Sequence, residues 1–253
     1  MSLPTDSKAS YTAQTDLLKD KTILITGAGD GIGRTAAVTY AAYGATVILL
    51  GRTVSKLESL YDEITEAGYP EPGIVPMDLG SATASDIQEM AEVIEKNYGK
   101  LDGLLHNASI LGDRVPLEVY DMNLWSKVMQ VNFQAVFMLT RILLPLLKLS
   151  ESASIIFTSS GVGATPRAYW GAYSVSKYAM EGFAKLLAEE LENTSNIRVN
   201  ILNPGATRTS MRAAAYPGED PRTLKTADEL MGLYLYLMGA DSKEENGKTF
   251  SGY

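Results

Sequence analysis

From Lys21 onward, short runs of β-branched and aliphatic residues alternate with longer segments whose apolar positions recur every three or four residues. The runs at 22–26, 46–50, 73–77, 101–105, 154–158 and 197–202 predict strands, and 248–250 predicts a short edge strand. Between them, helical patterns run from the glycines after residue 26 through Tyr43, then over 55–67, 83–98, 123–148, 172–194 and 227–238. Strands that are apolar throughout, separated by helices, predict a parallel sheet covered on both faces: a doubly wound, Rossmann-like α/β fold. No linker or repeat divides the chain, so residues 17–253 read as one domain, preceded by a polar, flexible arm over 1–16. The widest irregular stretch, 205–225, follows the sixth strand and is placed to cover a ligand beyond the strand ends.

Length and composition narrow the partners. The 253 residues are 45% hydrophobic and 21% charged, ordinary for a globular protein. A formal net charge of −8 argues against nucleic acid and anionic membrane surfaces, both of which need clustered Lys and Arg. With no cysteine and a single histidine, His106, thiolate chemistry and multi-histidine metal sites are excluded, and no metal is expected. The amino-terminal stretch lacks the apolar core of a secretory signal, and the most apolar run, 142–149, is short and broken by Pro145. These features predict a soluble, cytoplasmic protein with no membrane partner.

The first strand leads into Gly27-Ala28-Gly29-Asp30-Gly31-Ile32-Gly33, where a helix opens. Gly27 permits a sharp turn, Gly31 close approach to a phosphate, and Gly33 tight helix–strand packing; the helix N-terminus favours an anion. In that context the loop reads as a dinucleotide cradle, although a glycine turn without a ligand has the same composition. After the second strand stands Arg52, where an acidic residue would select an unphosphorylated ribose. A guanidinium suits a 2′-phosphate, which predicts NADP(H) over NAD(H). Asp30 pulls the other way, by adding negative charge nearby.

Tyr173-Ser174-Val175-Ser176-Lys177 sets a phenol and an ammonium one helical turn apart. A cation beside a phenol lowers its pKa toward the working range, so the pair could move a proton to or from a substrate oxygen. An ordinary surface helix offers the same pair. Ser160, thirteen residues earlier and just past the fifth strand, adds a hydroxyl that could bind the same oxygen, or simply satisfy a turn.

With these pieces in order, the chain resembles the short-chain dehydrogenase/reductase family from about residue 17 to 250, closest to its YciK-like bacterial group. The resemblance implies an oxidoreductase that passes a hydride between a nicotinamide and a carbonyl or alcohol carbon. It implies Tyr173 as acid/base, Ser160 orienting the carbonyl, Lys177 tuning Tyr173 and holding the ribose, and Asn132 supporting a proton-relay water. Gly27, Asp30, Gly31, Ile32, Gly33, Arg52, Asp78, Asn107, Ala108, Pro204, Gly205 and Thr209, with Tyr173 and Lys177, would line the cofactor site. His106 and Ser109 depart from the family's Asn-Asn-Ala-Gly segment, and His106 reads as a packed structural residue. The family also implies a homodimer or homotetramer, paired through the helices at 123–148 and 172–194. Arg208, Arg212, Tyr216, Arg222 and Lys225 in the covering stretch could welcome an anionic substrate, or face water. A reading from another class keeps the fold as a dinucleotide sensor or scaffold with little turnover.

Overall fold

Every apolar run read as a strand forms one in a computed structural model that describes residues 11–252. The strands are β1 (Thr22–Thr26), β2 (Thr46–Gly51), β3 (Gly73–Pro76), β4 (Gly103–His106), β5 (Ala153–Thr158), β6 (Ile197–Asn203) and β7 (Thr249–Ser251). They join in one parallel sheet of order β3-β2-β1-β4-β5-β6-β7. The order reverses between β1 and β4, where such a sheet opens a crevice beyond the carboxyl ends of its strands. The connecting helices are α1 (Gly31–Ala42), α2 (Val54–Glu66), α3 (Ala84–Tyr98), α4 (Met122–Met129), α5 (Ala135–Lys148), α6 (Gly161–Ala164), α7 (Gly171–Leu191), α8 (Ser210–Ala215) and α9 (Met231–Met238).

The strands are apolar at every position because alternate side chains enter different cores. Ile23 and Ile25 of β1 pack with α1, α2 and α9, while Leu24 packs with α3, α5 and α7. Full burial of an aliphatic side chain contributes about 1.5–3 kcal/mol, so each three-residue stretch of β1 ties together both layers. Helix starts follow their capping residues. Thr83 and Asp86 form a reciprocal capping box at α3, and Asp30 caps α1.

Several boundaries differ from the sequence pattern for local reasons. The segment 123–148 is not one α-helix: a π turn at Gln130–Gln134 separates α4 from α5. β4 begins two residues later than expected, at Gly103; the Asp102 backbone still bonds the Thr22 carbonyl (2.8 Å) and the Ser154 N–H (3.0 Å), while its side chain anchors the base of the strand. Its buried carboxylate accepts from Lys100 Nζ (2.9 Å), Ser150 Oγ (2.6 Å) and the Thr22 N–H (3.1 Å). The expected helix at 227–238 opens as a 3-10 turn, Asp228–Leu230. The irregular stretch 205–225 contains α8, which lacks the length to show a periodic pattern. Of the arm expected over 1–16, residues 1–10 lie outside the described residues, while Tyr11 packs edge-on against Tyr236 of α9. Met122–Lys148 is the one helical span, among the described residues, long and apolar enough to cross a membrane. Its inner face, including Leu139 and Leu143, is buried against the sheet.

Candidate active site

The carboxyl ends of β1, β2, β4, β5 and β6 open into one continuous cleft. At its floor the glycine loop is pressed between α1 and the exit of β4. Gly27 has φ +69°, and a Cβ there would lie 2.9 Å from Ala108 Cα; one on Gly33 would lie 2.3 Å from the Gly27 carbonyl oxygen. Neither position tolerates a side chain. Thr26 locks the arrangement: its hydroxyl accepts from the N–H groups of Asn107 and Ala108 (3.0 Å each) and reaches the Leu105 carbonyl at 3.3 Å. Asp30 accepts from the Gly31 N–H at 2.7 Å, so the next N–H groups of the α1 first turn remain without a helical acceptor. A side-chain-free cradle at a helix N-terminus fits a pyrophosphate. Gly27, Asp30, Gly31 and Ile32 line the cleft, as do Asn107, Ala108, Pro204, Gly205 and Thr209. Gly33 does not: it lies beneath the loop as a packing residue.

The far end of the cleft carries two cations. Arg52, just beyond β2, is exposed and has no carboxylate partner among the described residues. Lys56, one turn into α2, reaches Asp30 at 2.8 Å and holds that carboxyl below its ordinary range. The negative charge that counted against a 2′-phosphate is thereby compensated, leaving the Arg52 guanidinium in surplus. Asp78 lines the same end and turns inward to accept from the Gly80 N–H at 2.9 Å.

Ser160, Tyr173 and Lys177 converge at the opposite end. Ser160 precedes α6 in extended conformation, and Tyr173 and Lys177 project from α7 with only 6% and 2% exposure. The Lys177 ammonium donates to the Thr158 carbonyl (2.8 Å) and lies 5.7 Å from the Tyr173 ring centre. The expected priming of the phenol by this ammonium is not what dominates here. Burial raises the Tyr173 pKa above its ordinary value, and the groups opposing that rise are the hydroxyls of Ser160 and Ser109. Burial also lowers Lys177 to about 8, against the pull of Glu181 one turn on. Glu181 is itself buried and accepts from the Ser159 hydroxyl.

Asn132, 1% exposed, does not line the cleft. Its amide accepts from the Ile110 N–H (2.8 Å) and donates to the Ile110 carbonyl (3.0 Å) and to Ser176 Oγ (3.1 Å). The side chain ties the segment after β4 to α7. His106 is packed, as its apolar neighbours suggested. It stacks on Phe157, and Nε2 lies 2.8 Å from Thr140 Oγ1. Because that hydroxyl donates to the Val136 carbonyl, it accepts from His106 Nε2–H, which leaves Nδ1 deprotonated and without a partner.

Beyond Tyr173 the wall is aromatic. Trp170 lies 5.8 Å from the Tyr173 ring and 6.0 Å from that of Tyr216. The basic residues of the covering stretch are spent within the chain. Arg208 donates to the Pro221 and Leu224 carbonyls, Lys225 to the Gly252 carbonyl, and Arg222 pairs with Asp220. Arg212 makes a bidentate pair with Glu219.

The short chain dehydrogenase family model matches residues 21–220. The chain is 52% identical to the uncharacterized oxidoreductase YciK of Escherichia coli over 240 residues, 95% of this chain and 94% of that protein. It belongs to the short chain dehydrogenase family. A short chain dehydrogenase of Shigella flexneri complexed with NADP matches this dehydrogenase at TM-score 0.92 and 51% identity, covering 94% of this chain and 99% of that one. Another from E. coli, complexed with NADPH, matches at TM-score 0.92 and 52% identity over 95% and 99%. Sequence reasoning about the dehydrogenase missed Lys56, Thr26, Glu181 and the part played by Ser109. Of these, only Glu181 carried a readable signal, its helical spacing from Lys177.

Proposed function

We propose that this oxidoreductase is an NADPH-dependent reductase of a carbonyl compound, running in reverse on the alcohol. The observation that carries the reading is the convergence of Ser160, Tyr173 and Lys177 at one end of a cleft whose other end presents Arg52 and Lys56. Gly27, Gly31 and Ile32 would hold the pyrophosphate, and Arg52, left in surplus once Lys56 has compensated Asp30, the 2′-phosphate, which favours NADP(H) over NAD(H). When bound, the dinucleotide supplies the hydride that reduces the carbonyl carbon. Ser160 and Tyr173 hold the carbonyl oxygen between two hydroxyls, and the Tyr173 O–H gives that oxygen its proton. Lys177, anchored on Thr158, keeps positive charge beside the phenolate that results. Asn132 and Ser176 hold α7 in register with the segment after β4.

The protein works in the cytoplasm on a small molecule, and its copies pair through α4, α5 and α7 as a homodimer or homotetramer. Exposed apolar side chains on those helices, Phe137, Tyr178 and Leu186 among them, support the pairing. Tyr173→Phe tests the chemistry: turnover should fall about 100-fold or more while NADPH still binds. Turnover near that of the unaltered enzyme would remove Tyr173 from the reaction. NADPH binding with no turnover of any carbonyl compound would instead favour the sensor reading.

A further inference from the structure

We infer that the substrate is an uncharged carbonyl compound bearing a flat, apolar group, which lies against Trp170 while its oxygen sits between Ser160 and Tyr173. The inference rests on the reductase reading and names the substrate class of that same site.

Three observations carry it. First, the region beyond Tyr173 has its own small apolar cluster, separate from the two cores of the sheet. Trp170, Val162, Tyr173 and Ala215 are buried in it, with Leu111 and Met211 packed alongside. Trp170 is 7% exposed yet lines the cleft, so its ring is enclosed by protein except where a ligand would sit. Its backbone is held there: Tyr169 has φ +70°, a conformation rare for a residue with a side chain, and Gly171 follows at φ +37°. The turn costs free energy, and it delivers Trp170 to the cleft wall at the start of α7.

Second, no charge at this end is free to meet an ionised substrate. The carboxylates lining the cleft, Asp30 and Asp78, belong to the dinucleotide end, as do Arg52, Lys56 and Lys127, the last standing one helical turn before Val131, which packs beside Gly80 and Asp78. The lining cation of the substrate end, Arg212, is bound by both oxygens of Glu219. Lys177 is committed to the Thr158 carbonyl. Third, Arg114 stands outside the lining, over the rings of Trp170 and Tyr216 at 4.7 and 4.8 Å, and donates to the Ala215 carbonyl at the end of α8. Its guanidinium is engaged with both rings and with that carbonyl. A carboxylate or ammonium drawn into this space would lose its water without gaining a partner, whereas a planar apolar group would gain an aromatic surface.

The test compares two aldehydes whose formyl groups are electronically alike because two methylenes insulate the ring from the varied group, methyl 3-(4-formylphenyl)propanoate and ionised 3-(4-formylphenyl)propanoate, each reduced by the enzyme with saturating NADPH. The neutral ester should show kcat/KM at least about tenfold higher, the scale expected when a charge must be desolvated unpaired. Trp170→Ala should lower kcat/KM for the ester about tenfold with an unchanged Kd for NADPH, and Trp170→Phe should retain most of it. Faster reduction of the carboxylate, abolished in Arg114→Gln, would overturn the inference and leave the reductase reading standing. Equal rates, or no effect of Trp170→Ala, would overturn it too. If the enzyme binds NADPH but reduces neither aldehyde nor any of a panel of simple ketones, both readings fall together.

Discussion

His106 allows a prediction that can be worked through from structure to measurement. The ring is buried, its Nδ1 has no partner, and Lys177 adds a positive charge nearby; burial and that charge together lower its pKa to about 3. In the unfolded chain the same group titrates near 6.5. The folded state therefore binds fewer protons than the unfolded state between those values, so stability is complete above pH 6.5 and lost as pH falls toward 3. At 1.36 kcal/mol per pKa unit, the loss is about 2 kcal/mol on going from pH 7 to pH 5 and about 5 kcal/mol in strong acid. His106→Asn removes the titration. Urea unfolding of both proteins at the two pH values should show the unaltered enzyme losing about 2 kcal/mol more than the variant. Any constant offset from the substitution cancels in that comparison. Because the protein has one histidine, its ring proton resonance reports the same quantity without assignment and should hold constant down to about pH 5. Parallel pH dependence in the two proteins, or a resonance moving with a midpoint near 6.5, would refute the burial argument.

Other predictions address the cleft directly. Arg52→Ala should weaken NADPH binding about tenfold or more and leave NADH nearly unchanged, measured as dissociation constants for both; equal losses would remove Arg52 from the 2′-phosphate. With Lys177 lowered to about 8, kcat/KM for reduction should fall as pH rises through that value, because the ammonium is lost. Glu181→Gln removes a charge that favours the ammonium and should shift that alkaline limb to lower pH; an unmoved limb would reduce Glu181 to a packing role. Gly33→Ala forces a Cβ to 2.3 Å from the Gly27 carbonyl and should cost about 3 kcal/mol or more, a Tm lower by about 6–12 °C in thermal unfolding.

The fold was legible because the strands announce themselves: a strand with both faces buried must be apolar throughout, and its neighbours in sequence must be helices. The cradle was legible for a similar reason, since Gly27 and Gly33 stand where collision forbids anything larger. What could not be read concerns how groups are used once they are brought together. Arg208 and Lys225 satisfy backbone carbonyls, and carbonyls have no signature in sequence, so these residues could not be told from substrate ligands. Lys56 compensates Asp30 across a loop–helix contact spanning 26 positions. The pairing of Tyr173 with Lys177 was visible, but the burial that raises the phenol's pKa was not, because burial is a property of the assembled cleft. The π turn left no trace in composition because widening a helix by one residue changes neither its polarity nor its length noticeably.

That widened turn carries a genealogical consequence. Each residue of an α-helix advances about 100°, so deleting one elsewhere in 122–148 would swing everything downstream off its buried stripe. Within Gln130–Gln134 the surplus residue is already absorbed locally, and a deletion there would restore an ordinary turn while both flanks kept their orientation. Asn132 thus occupies a spot where a helix can gain or shed a clamp through a single codon, without disturbing the layers it separates.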